Sequence, residues 1–554
     1  MAVYEEYYKE VRDPQGNLIR IEINKKEDFN FAYDVVDRIA KKSPDRIALV
    51  HRQPDGKRRV FTYGDLRRLS DKAANGLKEI GIGRRDPVLL LLKRRYEFWI
   101  IILALHKLGA VAVPTSHMVS SEDIRERVRT TGAKAIICVN DGIICSKAEE
   151  ALKGSTALQL VVGAPYKDWA GFERLMEQAS ELFERVDTRG EDDMLYYFTS
   201  GTNGAPKAVI HDFFYPLAHI YTAKNWHGIR ENDLHITIAD SGWAKSAWGK
   251  LYGQWFLEAA ILVYDYEQFY AADMLKVLAE EKVNTFCAPP TIYKYFLLED
   301  LKKYDLSSIH DFTTAGETLP GEVADRFGKA TGRTIREGFG QTETALLLCT
   351  PDDGVRVTGS MGKPSPLYHI ELWNEENRPV EAGEEGEIVI LPENRERPVG
   401  VFKGYLGDEE SYAEVWAGGV YHTRDMAYRD HKGNYFFVGR NDDVIKSSGY
   451  RIGPSEVEDI LLKHPAVFEC AVTAYPSGKR GSVVKASIVL REGYTGDTGL
   501  VTQLQDFVKK RAAVYKYPRM VRFVDSLPKN SNGKICRSQI RKADSISYRQ
   551  SRSG

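Results

Sequence analysis

From Ile47 onward, short apolar runs alternate with amphipathic stretches. Arg67 to Leu77 and Glu122 to Thr131 carry apolar residues at helical spacing, whereas Val88 to Leu92 and Ala135 to Val139 have the short apolar runs of buried strands. The strand signature returns at Leu160–Val162, Ile261–Tyr264 and Thr285–Ala288. Strands alternating with helices predict an α/β fold with largely parallel sheets. The most apolar long segment, Phe98 to Pro114, is interrupted by His106, Lys107 and Gly109. It is too short and too punctuated for a membrane span, and predicts a buried helix running into a strand.

Between about Ile370 and Phe437 the texture changes. Gly and Glu become frequent and the apolar runs shorten to His369–Trp373, Gly386–Ile390 and Gly433–Phe437, as in a small β subdomain. After Gly439-Arg440-Asn441-Asp442-Asp443 comes a compact unit with helical spacing at Glu456–Lys463 and Thr502–Arg511, and strand runs at Cys470–Val472 and Lys485–Leu490. The expected organisation is a large N-terminal domain, 1–439, of two α/β subdomains plus the small β subdomain. A small α+β C-terminal domain, 440–554, follows it. At 554 residues the chain is too long for one core, which agrees with this division.

Composition adds exclusions rather than identity. With 43% hydrophobic and 28% charged residues the chain reads as an ordinary globular protein. A formal net charge of −1 gives no global reason to expect nucleic acid or an anionic membrane as partner. Six scattered cysteines lack any zinc-like spacing and read as reduced thiols, so a cytoplasmic location is expected. The charged N-terminus, Met1 to Glu10, lacks the apolar core of a signal peptide. No pattern in the chain encodes an oligomeric state.

The most informative stretch is Thr199-Ser200-Gly201-Thr202-Asn203-Gly204-Ala205-Pro206-Lys207. Its glycines free backbone N–H groups to turn toward an anion, its hydroxyls add donors and Lys207 adds charge. Such a loop is suited to polyphosphate. A Walker A loop needs other spacing and a Ser or Thr after the lysine, where this chain has Ala208. Apolar runs on both sides, Met194–Phe198 and Ala208–His211, predict a loop joining strand to strand.

Five motifs occur in an order and spacing that resemble the adenylate-forming superfamily of acyl-CoA synthetases, peptide-synthetase adenylation domains and luciferases. They are Thr199 to Lys207, Gly338-Phe339-Gly340-Gln341-Thr342-Glu343, Tyr421-His422-Thr423-Arg424-Asp425, Gly439 to Asp443, and Pro528-Lys529-Asn530-Ser531-Asn532-Gly533-Lys534. Asp240-Ser241-Gly242-Trp243-Ala244-Lys245, Gly359 to Pro364 and Ser447 to Pro454 are similar to the medium-chain acyl-CoA synthetase branch. The resemblance implies ATP, Mg²⁺ and CoA as cofactors and a medium-sized carboxylic acid as substrate. The acid attacks ATP to give acyl-AMP and pyrophosphate, and CoA then displaces AMP.

The resemblance also assigns roles. Thr199, Ser200, Gly201, Thr202, Asn203, Gly204 and Lys207 would hold the β- and γ-phosphates; Asn203 departs from the usual Thr or Ser but keeps a donor. Glu343 would bind Mg²⁺, which prefers carboxylate and phosphate oxygens. Thr342 would contact the α-phosphate or acyl carboxylate. Gly316, Glu317, Glu337, Gly338, Phe339, Gly340 and Gln341 would line the nucleotide, with Phe339 flanking adenine. Asp425 would accept the ribose hydroxyls beside Arg440. Lys534 would be the catalytic cation of adenylation, and Asp442 the hinge of a mobile C-terminal domain. Ser448, Gly449, Tyr450, Arg451, Arg480 and Lys509 would meet CoA or AMP phosphates.

Trp243, Ala244, Lys245, Trp248 and Leu346 are candidate acyl-pocket walls. Gly340 stands where acetyl-specific relatives carry tryptophan, so an open acyl tunnel is expected there. Rival readings are an enzyme loading an acid onto a carrier protein, a luciferase, or an inactive binding relative. The amine-binding pattern and carrier domain that would favour the first are missing from the sequence, and the preserved motifs speak against the last.

Overall fold

A computed structural model describes residues 2–199, 206–352, 354–447, 450–477, 481–529 and 535–553. The described strands form four sheets: a small N-terminal hairpin, an eight-stranded sheet, a path of thirteen strands and a five-stranded sheet. The fold is mixed α/β, with a large N-terminal body and a small C-terminal one.

Parallel strands dominate the first α/β sheet, where Pro87–Leu91 lies between Val111–Pro114 and Ala135–Val139. The helix Glu97–Leu108 that connects two of these strands has all twelve residues buried, which is why its sequence lacks a polar face. Gly109 ends it in the left-handed conformation, φ +67°, and the strand starts two residues later. Lys107 is fully buried on this helix, yet its Nζ reaches Asp37 at 2.8 Å and Asp71 at 2.6 Å. Helix starts elsewhere are written locally: Thr62 with Asp65, and Ser120 with Asp123, form reciprocal capping boxes.

The second α/β sheet and the small β subdomain, expected as separate units, are one continuous path. Ile335–Gly340 pairs antiparallel with Leu346–Cys349, and that strand pairs with Ser360–Pro364. Ser360–Pro364 in turn pairs with Tyr435–Arg440 of the β subdomain. Antiparallel pairing needs only a short connection, so the chain passes from parallel to antiparallel sheet without leaving it.

The C-terminal unit has its own core, in which Ile445, Val457, Leu461, Val472, Val484, Ile488 and Leu504 are buried together. Its helices Pro454–Leu461 and Thr498–Lys509 and strands Val467–Ser477 and Gly481–Leu490 overlap the segments expected from the sequence. A closing helix, Arg537–Ser553, was not anticipated; its mean polarity hides the periodicity.

Candidate active site

The stem of the loop at 199–207 has the expected form. Asp193–Phe198 and Ala208–Asp212 pair antiparallel, and Thr199 and Lys207 close the stem: Thr199 N–H donates to Lys207 O at 2.9 Å, and Lys207 N–H to Thr199 Oγ1 at 3.2 Å. Ser200, Gly201, Thr202, Asn203 and Gly204 lie outside the described residues. Lys207 Nζ is 3.1 Å from Asp408 Oδ2, donates to the Ser411 hydroxyl, and sits 5.0 Å from the Tyr405 ring centre.

Tyr405 ties this loop to the motif at 338–343. The strand Gly404–Tyr405 pairs with Ala208–Asp212, and the Tyr405 hydroxyl donates to Glu343 Oε1 at 2.9 Å. Burial, with the Glu343 carboxylate next in importance, pushes the Tyr405 phenol well above its ordinary pKa, so it stays a donor. Phe402 N–H donates to Glu343 O at 2.7 Å, fixing the backbone as well. Thr342 O accepts from His211 Nε2 at 2.8 Å.

Gln341 forms the second clasp. Its Nε2 donates to Asp425 Oδ2 at 2.6 Å and to Thr423 O at 2.7 Å, while Tyr421 O–H donates to Gln341 Oε1 at 2.7 Å. Asp425 stands opposite Arg440 in the strand pair, with 3.8 Å between Oδ1 and Nε. Burial opposes the Arg440 charge, but Asp425, Asp442, Glu343 and Asp443 outweigh it and raise the pKa. Phe339 is half-buried beside Phe437, with ring centres 6.1 Å apart. Sequence reasoning missed Tyr405, Tyr421, Thr423 and His211 as the groups that orient the motif. Only the Tyr-His-Thr-Arg-Asp run hinted at two of them.

Strand alternation separates the other residues of the motif. Glu337 is buried, accepts from Leu319 N–H at 3.3 Å, and is raised by burial to about 8. Burial thus favours its protonated form. Gly316, φ +99°, is exposed and Glu317 half-exposed at the end of the strand Asp311–Ala315. Lys245 Nζ donates to Ala315 O at 2.6 Å, tying the helix Ala244–Lys250 to that strand.

At Gly340 a Cβ would lie 2.4 Å from Trp248 Cη2 and 2.6 Å from Ala345 O, so the tryptophan packs directly against this glycine. Gly338 is covered in the same way by Trp226 and Leu346. Trp248, Ala244 and Leu346 are buried, and Trp243 is partly exposed.

Lys509 is engaged locally, 2.9 Å from Asp506 and 4.6 Å from the Tyr517 ring centre, rather than turned toward the motifs above. Tyr450 and Arg451 belong to the strand Tyr450–Ile452, which pairs with Ile445–Ser447. Asp442 is exposed in a turn where Asp443 and Val444 N–H groups both donate to Arg440 O. Ser448, Gly449, Arg480 and Lys534 lie outside the described residues.

The loop stem, the Glu343 carboxylate held by Tyr405 and the Gln341–Asp425 clasp thus lie on adjoining strands of one body. The chain belongs to the AMP-binding enzyme family: that family's profile matches residues 36–406, and the AMP-binding enzyme C-terminal domain matches 456–534. Acyl-coenzyme A synthetase ACSM3, mitochondrial, of Mus musculus is 35% identical over 531 residues, covering 94% of this chain and 91% of that protein. The 4-hydroxybutyrate–CoA ligase 1 of Metallosphaera sedula is 37% identical, covering 93% and 91%. Among solved structures, the anthranilate CoA ligase AuaEII with anthranoyl-AMP aligns with TM-score 0.86 at 28% identity, covering 94% of this chain and 98% of its own. A benzoate CoA ligase from Burkholderia xenovorans aligns with TM-score 0.80 at 27% identity, covering 93% and 100%. The protein is thus an AMP-forming acid–CoA ligase, whose substrates are a carboxylic acid, ATP and CoA.

Proposed function

We propose that the residues described above divide the ligase reaction between two half-reactions, and that the domain 440–554 turns about Asp442 between them. The observation that supports this best is the Gln341 clasp, which holds Asp425 beside Arg440 while Tyr405 holds Glu343 close by.

In the first half-reaction the loop 199–207 and Lys207 bind the β- and γ-phosphates, Asp425 accepts the ribose hydroxyls, and Phe339 flanks adenine. A carboxylate oxygen of the acid attacks the α-phosphorus. The acyl–O–P bond forms, and the bond to pyrophosphate breaks. Both partners are anionic, so alignment and charge neutralisation are the main catalytic requirements. Lys534 supplies a cation at the bridging oxygens, where it stabilises the transition state more than the ground state.

Among the described residues no group of three or more His, Cys, Asp or Glu side chains forms a protein cage for a metal. That fits Mg²⁺, which takes one or two carboxylates and completes its shell with water and phosphate oxygens. Glu343 would be its ligand, and the bound ion would neutralise phosphate charge.

In the second half-reaction the segment 447–451 replaces the Lys534 loop. The CoA thiolate attacks the acyl carbon, the bond to AMP breaks, and AMP leaves. Ser448, Gly449, Tyr450 and Arg451 line the pantetheine route; Arg480 and Lys509 meet phosphates only if Lys509 releases Asp506. We also assign the protein to the cytoplasm, since all six cysteines are free thiols and five are buried. Co-fractionation with an organelle would overturn that assignment.

The test is pyrophosphate release from ATP with a panel of acids, with and without CoA. Acyl-CoA and AMP should form in step with pyrophosphate. Pyrophosphate release with no thioester product would refute the CoA half-reaction. Lys534→Ala should lose adenylation yet still convert supplied acyl-AMP to acyl-CoA; equal loss of both would remove Lys534 from its role.

A further inference from the structure

Successive positions on a strand face opposite ways, so Gly338 and Gly340 share one face of Ile335–Gly340. That face is occupied by Trp226 and Trp248, whose rings meet edge-on at 6.4 Å. A file of rings leads there from the motif that carries Glu343. His211, bonded to Thr342 O, stacks on Tyr215 with centres 3.8 Å apart. Tyr215 meets His219 edge-on at 4.6 Å, and His219 lies 6.5 Å from Trp248.

This file is buried but polar. A carbonyl can only accept, so His211 Nε2 carries the proton, and burial keeps the ring neutral by lowering its pKa to about 3. His211 Nδ1 is then a bare acceptor, and it has no hydrogen-bond partner. His219 Nε2 and Trp226 Nε1 also lack partners. The Tyr215 hydroxyl and Trp248 Nε1 are buried in the same cluster and also make no hydrogen bond of ordinary geometry. Buried polar atoms nearly always find partners, and several orphans in one contiguous cluster call for a polar occupant.

We infer that the acyl pocket takes a short, neutral hydroxy acid, whose hydroxyl donates to His211 Nδ1 and whose chain is stopped by Trp248. The inference rests on the ligase reading and names the substrate class for that same site. An ionised second carboxylate offers only acceptors and cannot satisfy Nδ1. An unbranched alkyl chain leaves every orphan unpaired, and a long one meets the indole that fills the space beside Gly340.

Three probes separate the possibilities: 4-hydroxybutanoate, its near-isostere pentanoate, and octanoate, each assayed for pyrophosphate and thioester formation. The wild-type enzyme should show kcat/KM at least tenfold higher for the hydroxy acid than for either alkyl acid. His211→Phe should erase the preference over pentanoate, so that the two acids are used with equal kcat/KM. Trp248→Ala should raise kcat/KM for octanoate tenfold or more. Equal or better use of pentanoate or octanoate by the wild type would overturn the inference, as would octanoate activity unmoved by Trp248→Ala. If no acid in a broad panel releases pyrophosphate, the ligase reading itself fails.

Discussion

Replacing Gln341 by leucine isolates the clasp, because the side chain keeps its size and loses every polar atom. Three hydrogen bonds vanish together: those to Asp425 Oδ2, to Thr423 O and from Tyr421 O–H. Asp425, Thr423 and Tyr421 are all buried, so water does not replace the lost partners freely. A neutral buried group left unpaired costs about 1–3 kcal/mol, and a charged acceptor such as Asp425 more. Bonds in one network are not additive, so a total loss of about 3–5 kcal/mol is expected. The freed Asp425 would also lose the orientation on which its proposed hold on ribose depends, and a tenfold rise in KM for ATP corresponds to about 1.4 kcal/mol. Urea unfolding and the ATP dependence of pyrophosphate release read the two effects separately. A stability change under about 0.5 kcal/mol with KM for ATP unchanged would refute the reasoning, since ordinary surface substitutions fall in that range.

Three further outcomes follow from other contacts. Tyr405→Phe removes the hydrogen bond that holds Glu343, and should raise the Mg²⁺ concentration needed for half-maximal adenylation severalfold while leaving KM for the acid alone; an unchanged Mg²⁺ requirement would separate Glu343 from the metal. Lys107→Met leaves Asp37 and Asp71 facing each other without their cation, and should cost about 3–5 kcal/mol at pH 8. In the wild type, burial already raises Asp37 to about 6 against the pull of Lys107. Its contribution is therefore fully present below the unfolded carboxylate range, near pH 4, and is lost as pH rises through 6. The penalty in Lys107→Met should accordingly shrink between pH 8 and pH 5, and a pH-independent penalty would point to lost packing instead. Asp442→Pro stiffens the turn after Arg440, and should spare pyrophosphate release while slowing thioester formation at least tenfold; equal rates for both steps would argue against a hinge there.

What could be read from the chain is what neighbours along it decide. Apolar period and length identified the buried helix Glu97–Leu108 and the strands on either side of the loop at 199–207, because those elements bury their faces whatever they pack against. The motifs at 338–343 and 421–425 were legible through their resemblance to the adenylate-forming superfamily, which reads residue types in order along the chain. The helix Arg537–Ser553 escaped because few of its positions are apolar, and a polar helix resembles a loop in sequence.

Contacts between distant segments were beyond that kind of reading. Tyr405 lies 62 positions from Glu343, and Tyr421 lies 80 from Gln341, so only the sheet brings them into reach. Gly340 was the most instructive case. By itself a glycine announces empty space, and whether that space stays empty depends on what the rest of the chain folds into it. The sequence determined that the protein activates a carboxylate with ATP and passes it to CoA. The tertiary structure decided that the room beside Gly340 belongs to Trp248, because side-chain volume is shared among elements far apart in the chain and settled only when they pack.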